Sequence, residues 1–241
     1  MQQDKQSGLV NWLGYIAITL LVILPVSVLT VRSGAWQQGL LLYALGCLGS
    51  VILLAMALLM MLLPRFAGQR RAIRMRALFT LPGTVLFLLL LGGRDVPPIH
   101  DITTDTVDPP VFTAALAQRG SDSNSLELKP DTIEAQRAAY PDIATLVSAQ
   151  SLEETFNLAL RTARELGWDV YRDDLNAGYI EAVATTAIMG FKDDIVIRVR
   201  TNANGTLVDL RSVSRVGRSD LGANAARIRK FADAFAAASR P

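Results

Sequence analysis

The stretch SRVGRSDLGANAARI, residues 214–228, gathers side chains that do chemistry in many proteins. Arg215 and Arg218 flank a glycine turn, Ser219 and Asp220 follow, and the run then becomes helical. A nucleophile elbow would need Gly-x-Ser-x-Gly between a strand and a helix, with a histidine in reach as base. Here Gly217-Arg218-Ser219-Asp220-Leu221-Gly222 is one residue too long after the serine, and the only histidine is the distant His100. An anion cradle fits better. Arg211, Arg215, Arg218 and Ser219 precede a helix amino terminus, whose free amides and dipole favour a phosphate, a lipid headgroup or a carboxylate. An internal anion fits better still, because arginine–carboxylate pairs commonly serve structure. His100, Asp101 and Asp105 of HDITTD are the expected structural partners, fastening an upstream segment to this turn. Ser219 is then a helix cap, with Asp220 near the positive helix end.

Other chemistry finds less support. One histidine and one cysteine exclude the usual zinc sets. DDLNAGYIE offers Asp173, Asp174, Asn176 and Glu181, but its glycine is misplaced for an EF-hand, so a hairpin turn is the better account. No phosphate loop and no dinucleotide glycine pattern occurs. No metal and no cofactor is therefore expected. An enzyme would have to use Ser219 or the adjacent Asp193 and Asp194.

The elements that must position the turn come from hydrophobic periodicity. SLEETFNLALRTAREL places Leu152, Phe156, Ala159, Ala163 and Leu166 on one helical face, and Ser151 with Glu154 forms a capping box. WDVYRDD, GYIEAVATTAIM, DDIVIRVRT and LVDLRSVSR are predicted strands, with Asn204-Gly205 as a hairpin turn. The last segment is a helix with Ile228, Phe231, Ala232 and Phe235 on one side. This order predicts an α+β domain over residues 151–241: a four-stranded antiparallel sheet with two helices on one face. The opposite face would carry Glu181, Arg198, Arg200, Asp209 and Arg211 and is expected to be solvated. Residues 94–150, rich in proline at positions 97, 98, 109 and 110, read as an extended strap and loop.

The amino-terminal part is a different material. With 51% apolar residues and a mean hydropathy of +0.30, the chain is more apolar than soluble domains. The excess lies in residues 1–93, in uncharged runs at about 12–31, 39–63 and 77–93. These are expected to be three transmembrane helices. Arg65, Arg70, Arg71, Arg74 and Arg76 between the second and third runs place that loop on the cytoplasmic side, and the carboxyl-terminal domain outside. Gly46 and Ser50 are spaced for close helix packing. The net charge of +2 reflects this basic loop, which suits anionic lipid rather than nucleic acid.

PPIHDITTD, YPDI, GYIEA, GFKDDIVIRV and VDLRSVSRVGRSDLGANAARI together resemble the family called domain of unknown function 1499, over residues 97–235. The Arg-Ser-x-Ser-Arg-x-Gly-x-Ser-Asp-x-Gly core carries the likeness, which implies a domain boundary but no catalytic residue. The sequence thus predicts a non-enzymatic, multi-pass inner-membrane protein with a periplasmic domain. That domain is expected to bind a membrane protein partner or an anionic ligand. Two alternatives are a lipid-handling module with an acyl pocket beside Arg215 and an envelope hydrolase.

Overall fold

The computed structural model describes residues 8–92, 96–203 and 205–239. The first seven residues, the exit of the third apolar run at 93–95, Asn204 of the expected hairpin turn and the last two residues lie outside the described residues. The chain forms two compact units, Met1–Arg94 with Ile188–Gly190, and Asp95–Ala187 with Phe191–Pro241.

Helices α1 (Gly8–Arg32) and α2 (Trp36–Leu62) make up most of the first unit. After a 3-10 segment, Pro64–Gln69, come α3 (Arg70–Ala77), a 3-10 turn and α4 (Leu81–Gly92). Three segments, Gly8–Arg32, Trp36–Leu62 and Pro64–Gly92, are long and apolar enough to cross a membrane. Helical structure in the third begins well before the apolar run, in the arginine-rich segment itself, so the helical segment is longer than the run at 77–93. Close packing has a visible cause. A Cβ on Gly83 would lie 2.3 Å from Ser50 Oγ, so only glycine lets α4 approach α2 there. Val10, Leu13, Ala17, Leu53, Ala57, Phe66 and Ile73 form the buried centre of this bundle.

The second unit is α+β. Its strands are β1 (Asp101–Thr103), β2 (Leu146–Ser148), β3 (Asp169–Asp174), β4 (Tyr179–Thr185), β5 (Lys192–Asn202) and β6 (Gly205–Ser214). Its helices are α5 (Ala115–Gln118), α6 (Pro130–Ala139), α7 (Leu152–Glu165) and α8 (Ala223–Ala238). The sheet has six antiparallel strands rather than the expected four, in the order β1-β6-β5-β4-β3, with β2 also on β6. Both extra strands come from the predicted strap. Each is only three residues long, too short for alternation to reveal.

One sheet face follows the sequence closely. Ile180 and Ala182 of β4, Ile195 and Ile197 of β5, and Val208 and Leu210 of β6 pack with Phe156 and Ala159 of α7 and Ile228, Phe231 and Phe235 of α8. Trp168 stacks on Phe231 at 5.4 Å. The capping box of α7 forms as predicted, Ser151 Oγ accepting from the Glu154 amide and Glu154 accepting from the Ser151 amide.

The start of α8 differs from expectation. Ser219 Oγ accepts from the Leu221 amide, inside the turn, and does not reach the helix. Asp220 takes the capping role, with Oδ1 on the Gly222 amide at 2.8 Å and Oδ2 on the Asn224 amide at 2.8 Å. The reason is backbone geometry. Leu221 and Gly222 both adopt positive φ, 53° and 83°, so the chain turns twice before the helix begins. Glycine accepts that conformation without penalty.

Candidate functional site

The second sheet face, expected to be wet, is buried. Glu181, Asp194 and Asp209 have no exposed surface, and Arg198 and Arg211 are nearly as enclosed. What covers them is the chain itself, residues 104–126, which returns over the face with its own acceptors and donors. Phe112 and Ala115 pack there on Val196 and Val213.

Strand register dictates the pairs. Asp101 sits on β1, beside β6, with Thr103 opposite Arg211. Its carboxylate receives both arms of Arg211, Nε to Oδ1 at 3.0 Å and Nη2 to Oδ2 at 2.7 Å. Arg211 Nη2 also donates to Leu126 O, and the guanidinium lies 5.3 Å over the Phe112 ring. Arg198 of β5 stands opposite Asp209 of β6 and donates to it through Nη2 at 2.9 Å. Arg200 joins through Nε at 3.0 Å, and Thr145 donates to the other oxygen at 2.6 Å.

Asp105 enters this group from the covering segment. Its Oδ2 accepts from Arg198 and Arg200, and its Oδ1 from the amides of Val107 and Asp108. Burial opposes its charge, but the two amides and the two arginines outweigh burial and hold the carboxyl below its ordinary range.

Further along, Asp194 receives Arg215 in a two-armed contact, Nη2 to Oδ1 at 2.7 Å and Nε to Oδ2 at 3.1 Å. Arg119 reaches the same carboxylate from the far end of the covering segment. Arg215 Nη1 donates to Gln118 O at 2.8 Å.

Glu181 gathers several donors from the covering segment. The amides of Thr113, Ala114 and Ala115 all donate to it, at 3.1, 3.0 and 2.8 Å, with the Thr113 hydroxyl at 2.7 Å and Arg172 Nη1 at 3.0 Å. Burial again works against its charge, and these donors more than offset it, so its carboxyl ionises below the ordinary range. Tyr171, nearby, has its hydroxyl pushed upward, first by burial and then by the charges of Asp194 and Glu181.

The alternate residues of β6 serve the other face. Ser212 donates to Asn224 Oδ1 at 2.6 Å, Asn224 Nδ2 donates to Ser214 Oγ and to His100 O at 3.0 Å each, and Arg227 of α8 pairs with Asp193. Asp220 lies beside this group. Burial raises its pKa despite the amides it accepts, and the charge of Asp193 adds to the rise.

The candidate residues therefore separate. Arg211 goes to Asp101, Arg215 to Asp194, and Asp105 to Arg198 and Arg200. Arg218 is exposed and makes no ion pair among the described residues. His100 comes to the turn, with Nδ1 3.4 Å from the Arg218 carbonyl oxygen, and its own carbonyl accepts from the Ser214 amide. Asp193 and Asp194 point to opposite sheet faces and pair with different arginines.

Arg119 and the amides of 113–115 could not be found from sequence, since nothing in their spacing marks the path of the covering segment. The charged alternation of Glu181, Arg198, Asp209 and Arg211 was visible, but not its burial. Two clefts on this unit lie elsewhere. One, of about 280 Å³, is lined by Trp168, Thr185, Arg227 and Lys230; the other, of about 440 Å³, by Thr106, Ile133 and Arg137.

The chemistry of such a layer is fastening. Buried carboxylates with several strong donors are held ionised, and guanidiniums whose donors are already engaged have little left to offer a further anion.

The model of a family described as a protein of unknown function (DUF1499) matches residues 101–235, from the strand that carries Asp101 to Phe235 of the last helix. No curated protein matches the chain.

Proposed function

This chain belongs to the DUF1499 family, and we propose that it is a non-enzymatic, membrane-anchored envelope protein whose α+β domain docks a protein partner outside the cytoplasm. The observation that carries the proposal is that the covering segment turns charges inward while it leaves large apolar side chains exposed. A surface loop ordinarily turns apolar side chains inward and charges outward. Here Asp105 and Arg119 face the sheet beside Phe112 and Ala115, whereas Val107, Val111 and Leu116 are 88%, 60% and 68% exposed. Clustered apolar exposure marks interaction sites, and these three side chains lie within ten residues of one segment. The arginine layer holds the segment in place beforehand, which lowers the ordering cost of binding.

An anionic ligand at the arginine turn is less well supported, because Arg211 and Arg215 already have carboxylate partners. An acyl pocket beside Arg215 has no support from the two described clefts of this unit, neither of which Arg215 lines. The inner-membrane location and outward orientation rest on the five arginines between α2 and the apolar part of the third span.

The test is site-specific photo-cross-linking in native membranes, with the probe at position 107, 111 or 116 of the full chain. A probe at Glu153, on the exposed first turn of α7, serves as control. A protein adduct of one size shared by the three positions and absent from the control is the expected result. Adducts to lipid alone, or none, would remove the docking role.

A further inference from the structure

Residues 8–92 contain six arginines and not one aspartate or glutamate. The sheet domain supplies a carboxylate for nearly every buried guanidinium, whereas residues 8–92 have none to offer. Arg65, Arg70, Arg71 and Arg74 are exposed, and all four lie in one short stretch, the 3-10 segment and α3. Their counter-charge has to come from outside residues 8–92.

Beside this basic stretch is an apolar groove of about 350 Å³, between the first turns of α1 and the last turns of α2. Trp12, Leu13, Leu53, Met56 and Met60 line it, and Phe66 with Arg65 closes one end. Arg65 is held over the Phe66 ring, 4.8 Å from its centroid. Phe66 is itself buried in the bundle, so this contact favours a position of the cation at the end of the groove. From Leu9 to Ile16 the groove runs along roughly 10 Å of α1 at the helical rise per residue. Trp12 and Tyr15 are exposed and packed edge to face, 6.0 Å apart, as aromatic side chains are at a bilayer interface. This is the depth at which a phosphate meets its acyl chains.

We propose that this groove is a binding site for one anionic phospholipid: an acyl chain lies between α1 and α2, and the headgroup phosphate sits on Arg65, with α3 adding attraction. The site is built by the anchor alone and does not depend on what the sheet domain binds. Its occupant is the lipid rather than a soluble phosphate, because the walls are apolar and only the rim is charged.

Native mass spectrometry of the full chain in detergent, titrated with phosphatidylglycerol and separately with phosphatidylcholine, tests the proposal. The unsubstituted chain should hold one phosphatidylglycerol in preference to phosphatidylcholine. Arg65→Gln should weaken that lipid by about fivefold, the effect of roughly 1 kcal/mol per basic residue at a membrane surface. Met56→Trp, at a lipid-facing position, should reduce both lipids by filling the groove. Circular dichroism of each variant checks that the helices are retained. Equal binding of the two lipids by the unsubstituted chain would overturn the site. So would full binding in both variants with loss only in Arg71→Gln or Arg74→Gln, which would show diffuse attraction to α3. Displacement of phosphatidylglycerol by soluble glycerol phosphate would show an anion site without an acyl groove.

Discussion

Single residues carry the argument for fastening. Asp101 and Arg211 are both buried and meet through two parallel hydrogen bonds. Removing one partner of such a pair leaves the other charged and dry, which costs about 3–5 kcal/mol. Asp101→Ala should therefore lower the melting temperature of the sheet domain sharply in the full chain, whereas Arg218→Ala, at an exposed position, should leave it nearly unchanged. Equal melting of the two variants would remove the distinction. Acid should loosen the same layer. Asp105 and Glu181 ionise below their ordinary values of 3.8 and 4.5, so the folded chain binds fewer protons than the unfolded one just below those values. Their stabilisation is complete above that window and is lost as pH falls through it toward the folded values. Asp220, raised instead, works in the opposite direction. Unfolding followed from pH 7 to pH 3 should show this loss, and Glu181→Gln should flatten the curve. At this scale the sequence was half legible. Which carboxylates lie near arginine could be read from HDITTD and the strand alternation, but not who pairs with whom. That depends on the registers of β1 with β6 and of β5 with β6, which bring Asp101 to Arg211 and send Asp105 to Arg198 and Arg200.

At the scale of elements, periodicity revealed α7, α8 and the four longer strands, but not the ten-residue α6, which lies in the segment read as strap and loop. The capping box and apolar face of α7 and the four strands β3 to β6 follow from spacing alone. The two three-residue strands did not, because three residues hold too little alternation, and proline nearby argued for a strap. The added edge is completed by a side chain. Gln136 of α6, buried, donates through Nε2 to Thr103 O at 2.6 Å and accepts from Thr103 N at 3.0 Å through Oε1. Its amide does for β1 what a neighbouring strand would do. Gln136→Ala leaves a buried donor and acceptor unmatched, at a cost of about 1–3 kcal/mol for such a group. The expected result is a lower melting temperature with the faster amide exchange confined to β1 and its neighbours. Unaltered exchange at Thr103 would show that the edge does not need the glutamine. The burial of the second sheet face was illegible for a related reason. Charged alternation normally signals solvent, and only the path of residues 104–126 turns it inward.

The whole molecule couples an anchor of three apolar helices to an α+β domain whose motif arginines are engaged internally. The proposed orientation rests on the basic stretch before the third apolar run, and under it a reporter active only outside the cytoplasm, fused after residue 241, should be active. Activity solely of a cytoplasmic reporter there would place the domain inside. The central claim is that the arginine layer holds the covering segment shut rather than awaiting an external anion. Hydrogen exchange on the full chain tests it most directly, at the amides of Thr113, Ala114 and Ala115 that donate to Glu181. These amides should exchange as slowly as those of β5 and β6 in plain buffer, and added phosphate should not change them. Rapid exchange that becomes slow only when phosphate is added would contradict the account and make the layer a ligand site.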